Sequence, residues 1–82
     1  MEKALSNDER IILENIDERY QWISRDENGD LYVYENKPQK KDSYCWYVCD
    51  GFCGFSAFNH LFKMIKWEDN KPTLIADLLR GN

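Results

Sequence analysis

The stretch YCWYVCDGFCGFSAFNH, Tyr44 to His60, contains all three cysteines of the chain and its single histidine. Read as one unit, it gives the spacing Cys45-x3-Cys49-x3-Cys53-x6-His60. Zinc takes four soft or borderline ligands in a tetrahedron, and three thiolates with one imidazole are a usual structural set. Asp50-Gly51 bends the chain between Cys49 and Cys53, and Gly54 relieves crowding after the third sulfur. The spacing therefore predicts a structural Zn2+ on Cys45, Cys49, Cys53 and His60. A closed set of four leaves no open position, so this metal would staple rather than catalyse. Its contribution, on the order of 10 kcal/mol in small domains, would rival the ~5–15 kcal/mol stability of a typical domain.

The zinc site carries a geometric condition. On a straight strand Cys45 and Cys49 share a face but stand about 13 Å apart, so residues 45–53 must not form a regular strand throughout. The competing reading makes the cysteines small apolar fillers between Trp46, Phe52 and Phe55. An iron–sulfur centre generally needs four thiolates and the chain has three. A Cys–His thiol enzyme needs His60 free to act as a base.

Outward from this stretch, 82 residues form a single domain, 1–82, of which 43% are hydrophobic and 32% charged. That balance belongs to a globular chain rather than a disordered one. A chain this short buries only about 60% of its unfolded surface, so a staple would be useful. The net charge of −4 disfavours direct nucleic-acid binding, which requires a basic surface. MEKALSNDER has no apolar signal core and no long apolar run follows, so a soluble cytoplasmic protein without a membrane role is expected.

Ser6 followed by Glu9 is a capping-box pattern, and Ile12, Leu13, Ile16 and Tyr20 recur at helical spacing, predicting a helix over about 7–18. Two runs rich in Tyr, Trp, Ile and Val flank DENGD, a hairpin signal. Tyr20, Trp22 and Ile23 fall on its first strand, and Leu31 to Tyr34 on its second. Large side chains at both parities make both sheet faces partly apolar: one packs on the helix, the other needs a cover or meets a partner. KPQKKDS reads as a loop and SYCWYV as a third strand. SAFNHLFKMIKW places Phe58, Leu61, Phe62 and Ile65 on one helical face, with Ser56 as cap. TLIADLLR reads as a last helix, capped by Thr73 and ended by Gly81. The expected architecture is α+β: a small zinc-stapled domain with an N-terminal helix, a β-hairpin plus third strand, and two C-terminal helices.

No Gly-rich phosphate loop, serine elbow or HExxH motif occurs, so no catalytic residue is assigned and a non-enzyme is expected. YQWISRDENGDLYVYENKP and FNHLFKMIKWEDNKPTLIADLL, together about half the chain, resemble short phage and prophage proteins of Gram-positive bacteria. In size, charge and lack of catalytic apparatus the chain is similar to type II-A anti-CRISPR proteins. That resemblance implies binding to a host RNA-guided Cas nuclease, preventing DNA loading or cleavage. It supplies no binding residues. Exposed aromatics ringed by acidic residues would make such a contact, with Tyr20, Trp22, Tyr32, Tyr34 and Trp67 as partner-binding candidates. The alternative is a phage accessory interaction module acting on a transcription or replication partner.

Overall fold

The computed structural model describes residues 4–40, 45–48 and 50–80. Helix α1 spans Asn7–Asn15 and begins as the sequence requires: Ser6 Oγ accepts from the Glu9 amide, and Glu9 Oε1 accepts from the Ser6 amide. It stops three residues short of the expected end. Ile16 is extended, and the Asp17 carboxylate accepts from the Arg19 amide at 2.9 Å, turning the chain toward the sheet.

The hairpin is present. Strand β1 (Trp22–Arg25) pairs antiparallel with β2 (Leu31–Tyr34), with Ile23 opposite Val33. Tyr20 precedes β1 rather than lying on it. Between the strands Gly29 takes φ +98°, while the Asp26 amide donates to the Asp30 carbonyl at 2.8 Å. The third strand of the main sheet is not SYCWYV. It is β5 (Phe52–Gly54), paired with β2 so that Cys53 faces Val33 and Phe52 faces Tyr34. Strand β6 (Thr73–Leu74) completes the order β5-β2-β1-β6. Of SYCWYV, Trp46–Tyr47 form β4, which pairs with β3 (Gln39–Lys40) as a separate ribbon inside the segment read as a loop. Residues 43 and 44 lie outside the described residues. Between β4 and β5, Gly51 takes φ +72°, so the run from 45 to 53 is bent, as zinc binding would have required.

Ile23, Leu31 and Val33 point to one face of the sheet. There they pack with Leu13 of α1, with Phe55, Phe62 and Ile65, and with Ile75 and Leu78 of α2 (Ile75–Leu79). We call this the helix face. The opposite, ribbon face carries Trp22, Ser24, Tyr32 and Tyr34, and β4 lies against it, with Trp46 buried beside Ser24.

The first of the two expected C-terminal helices does not form. Its inward side chains are correct, since Phe62 and Ile65 are buried and Phe58 and Leu61 pack on the core. Its backbone is not helical. After a 3-10 turn at Ser56–Phe58, successive i→i+3 bonds follow, and Phe62 takes a left-handed φ of +57°. The physical reason is competition for backbone groups. Arg25 donates to the carbonyls of Asn59, Leu61, Phe62 and Ile65 at 2.8–3.1 Å. The buried Glu9 carboxylate accepts from the Phe62 amide at 2.6 Å. Those are groups a helix would have used internally. The caps also differ: Ser56 makes no cap hydrogen bond, and Thr73 sits in β6 while Leu74 precedes α2 without a side-chain cap. Gly81 lies outside the described residues.

Candidate functional site

The expected zinc ligands are distributed by the strand alternation. Phe52 points to the ribbon face, where its ring lies 6.2 Å from that of Tyr32. Cys53, next along β5 and opposite buried Val33, therefore points to the helix face, at its exposed edge. Its sulfur lies 3.5 Å from the Gly54 carbonyl oxygen. Cys45 lies on the ribbon face among Tyr32, Tyr34 and Phe52. His60 is exposed just beyond the 3-10 turn. Cys49 lies outside the described residues. Among the described residues no three His, Cys, Asp or Glu side chains gather as a metal-holding group. Cys45 and Cys53 stand on opposite faces of the sheet, so this arrangement does not fit a single ion shared between them.

The five expected partner-binding aromatics also separate. Tyr34 is 2% exposed and is withdrawn from any contact surface. Burial pushes its phenol well above the usual tyrosine range, with the Asp26 charge and the neighbouring Tyr32 and Cys45 acting in the same direction. Trp22 has the Lys37 ammonium 5.9 Å from its ring centre. Trp67 meets Trp46 edge-on, and Lys40 lies 4.1 Å over the Trp67 ring. Tyr20 lines a groove between α1 and α2. Tyr32 remains, half-buried, on the ribbon face.

Around Tyr32 a groove of about 190 Å³ opens between β2, β4 and β5, walled by Tyr32, Tyr47 and Phe52, with Asp26, Cys45 and Val48 along it. Phe52 is 54% exposed and Tyr47 46%, among the most exposed large apolar side chains described. Sheet register explains their position. Phe52 stands opposite Tyr34, and Tyr47 belongs to the ribbon laid over that face. The floor is fixed by the Asp26 carboxylate, which accepts from the Trp46 amide at 3.1 Å.

Sequence reading passed over Tyr47 and Phe52. A signal for Phe52 existed in the alternation of Phe52 and Gly54 with Cys53 and Phe55, which places Phe55 inward and Phe52 outward. It was obscured because CDGFCG also satisfies the pattern of a metal-binding turn. No known family model, curated protein or solved structure matches this chain.

Proposed function

We propose that this protein acts by binding another protein, through the groove walled by Tyr32, Tyr47 and Phe52. The observation that carries the reading is the pairing of two well-exposed aromatic side chains with a concave floor. A volume of about 190 Å³ falls below the roughly 300–1,000 Å³ of small-molecule and cofactor pockets. It suits one or two anchoring side chains of a partner, the arrangement in which most of the energy of a protein interface is concentrated. The acidic chain around it favours a contact with a basic protein surface.

Together with the phage resemblance, this supports an anti-CRISPR role: stoichiometric binding of a host type II RNA-guided Cas nuclease in the bacterial cytoplasm, preventing DNA loading or cleavage. The direct test is plasmid cleavage by guide-loaded type II-A nuclease with increasing protein, alongside the Tyr47→Ala/Phe52→Ala double variant. Inhibition saturating near one protein per nuclease, and lost in the double variant, is the expected result. Cleavage unaffected by a large excess would overturn the nuclease assignment and leave the groove to the alternative transcription or replication partner.

Zinc enters this reading with a structural condition attached. For Cys45, Cys49, Cys53 and His60 to close on one ion, β5 must leave its register with β2 and turn Cys53 to the other face. Metal content per chain and a melt after chelation decide the matter. One zinc per chain with a large loss of stability would show that residues 45–60 adopt the stapled arrangement; no metal and an unchanged melt would leave the sheet register as described.

A further inference from the structure

A second concave surface lies away from the aromatic groove, where the C-terminal half of α1, the approach to β1 and helix α2 meet. It encloses about 440 Å³ over an apolar floor that includes Leu13, Ile16, Tyr20, Leu74 and Leu79. Ile16, Tyr20, Leu74 and Leu79 are only partly buried, so the floor keeps apolar surface in contact with water. Against about 190 Å³ for the aromatic groove, this surface has room for several apolar side chains at once.

The rim carries more carboxylates than cations: Glu14, Asp17 and Glu18 against Arg10 and Arg19. All three acidic residues line it and all are exposed. Helix α1 also ends here, and its last turn carries no basic residue, so the partial negative charge of its terminal carbonyls adds to the carboxylates. The Asn15 side-chain amide caps one of them, donating to the Ile11 carbonyl at 2.7 Å. Arg10 lies 4.0 Å from Glu14 and Arg19 3.3 Å from Asp17. The Arg19–Asp17 pair faces solvent and is readily exchanged for another cation, whereas Arg10 is partly buried and also donates to the Leu79 carbonyl at 2.8 Å.

We propose that this groove is a docking site for an amphipathic helix of a partner protein, with aliphatic side chains on the floor and Lys or Arg against the rim. Apolar floor and acidic rim select the occupant together. A neutral apolar segment would make no use of the excess of carboxylates over arginines at the rim. An anionic bilayer, the other apolar surface with charge at its edge, would be repelled by them. The site is independent of the aromatic groove, so either can fail without the other.

The test is a titration of the isotope-labelled 82-residue chain, followed by amide NMR, with a Leu/Lys amphipathic peptide of about 18 residues, long enough to hold a helix. A Leu/Glu peptide of the same pattern and anionic phosphatidylglycerol vesicles serve as comparisons. Expected are shifts confined to residues 13–21 and 74–79, with affinity falling as salt is added and neither comparison binding. Replacing the rim by Glu14→Gln/Asp17→Asn/Glu18→Gln should weaken binding about tenfold while core amide positions stay unchanged. Ile16→Ser should weaken it similarly through the floor. Shifts centred on Tyr47 and Phe52, equal binding of the Leu/Glu peptide, binding to the vesicles, or no binding would each overturn the proposal.

Discussion

On the helix face of the sheet, two charged side chains, Arg25 and Glu9, complete the hydrogen bonding of an irregular segment. Arg25 donates to five carbonyls, those of Gly29, Asn59, Leu61, Phe62 and Ile65. Glu9 accepts from the amides of Ser6 and Phe62. On the ribbon face, Ser24 Oγ and Trp46 Nε1 are buried with no partner among the described residues, and Tyr47 and Phe52 stand exposed. One face is closed by charge-assisted bonds to backbone; the other is covered by a two-stranded ribbon that leaves donors unmatched and rings in water. The difference teaches where each function of the molecule resides. The helix face holds the buried core and the charge-assisted bonds, while the ribbon face keeps two large rings in water, the surface proposed above for a partner.

The sharpest way to break this contrast is to remove the clamp. Arg25→Ala leaves several carbonyls without their donor, and bonds to a charged group contribute roughly 1.5–3 kcal/mol each before compensation by water. Because the guanidinium is only partly buried, a net loss of about 3 kcal/mol is expected in urea unfolding. Burial also pushes the guanidinium pKa downward, yet a fork of donors remains the only side-chain shape that reaches carbonyls on both sides. Arg25→Lys should therefore recover less than half of the loss. A change under about 1 kcal/mol in Arg25→Ala would place the stability elsewhere.

Phe62 tests the same face at finer grain. Its side chain is fully buried while its φ is +57°, a conformation that costs a non-glycine residue roughly 1–2 kcal/mol. Phe62→Ala should lose about 3–5 kcal/mol through the cavity. Phe62→Gly should be more stable than Phe62→Ala by about 1 kcal/mol, reversing the usual order. If alanine is the more stable of the two, the left-handed turn is not maintained in solution.

How much of this was legible in the sequence follows from which interactions are local. The α1 start, the Asp26–Asp30 turn and the inward positions of Leu13, Phe62 and Ile65 rest on neighbours a few residues apart, and periodicity or capping chemistry discloses them. The 56–67 segment has helical periodicity, but its backbone is decided by Arg25 and Glu9, 31 or more residues away, and no local pattern reports that. Strand β5 was hidden for a similar reason: its partner β2 lies about twenty residues upstream, and Cys53 gave the same letters a second meaning. The groove inherits both gaps. Tyr32 was identifiable from the hairpin, whereas Tyr47 and Phe52 required the register of β5 and the placement of the ribbon.

On the ribbon face, Tyr34 gives the contrast a pH signature. In the unfolded chain its phenol ionises near 10, and burial raises that value in the fold. Stability from the neutral phenol is thus fully present below about pH 10. Above it the unfolded chain gains by ionising while the folded chain does not, and stability falls by about 1.4 kcal/mol per pH unit. Tyr34→Phe lacks this term. Its stability relative to the unmodified protein should be flat from pH 7 to about 9.5 and rise steeply above 10. A parallel course through pH 11 would mean that the Tyr34 hydroxyl reaches solvent and that the ribbon does not seal this face.

Ser24 provides the smallest and most diagnostic change. Its hydroxyl is buried without a partner among the described residues, and the gap it lines with Trp46 is too small to hold a water molecule. A buried hydroxyl with no partner costs about 1–3 kcal/mol of desolvation, so removing it should help rather than harm. Ser24→Ala is expected to stabilise the protein by up to about 1 kcal/mol, because the lost packing of one oxygen offsets part of the gain. The same substitution at a satisfied hydroxyl, Ser6→Ala at the head of α1, should instead destabilise by about 1 kcal/mol. Opposite signs for the two serines would show that the faces differ in polar satisfaction and not merely in depth. Equal losses would mean that Ser24 finds a partner in solution, and that the ribbon face is as fully closed as the helix face opposite it.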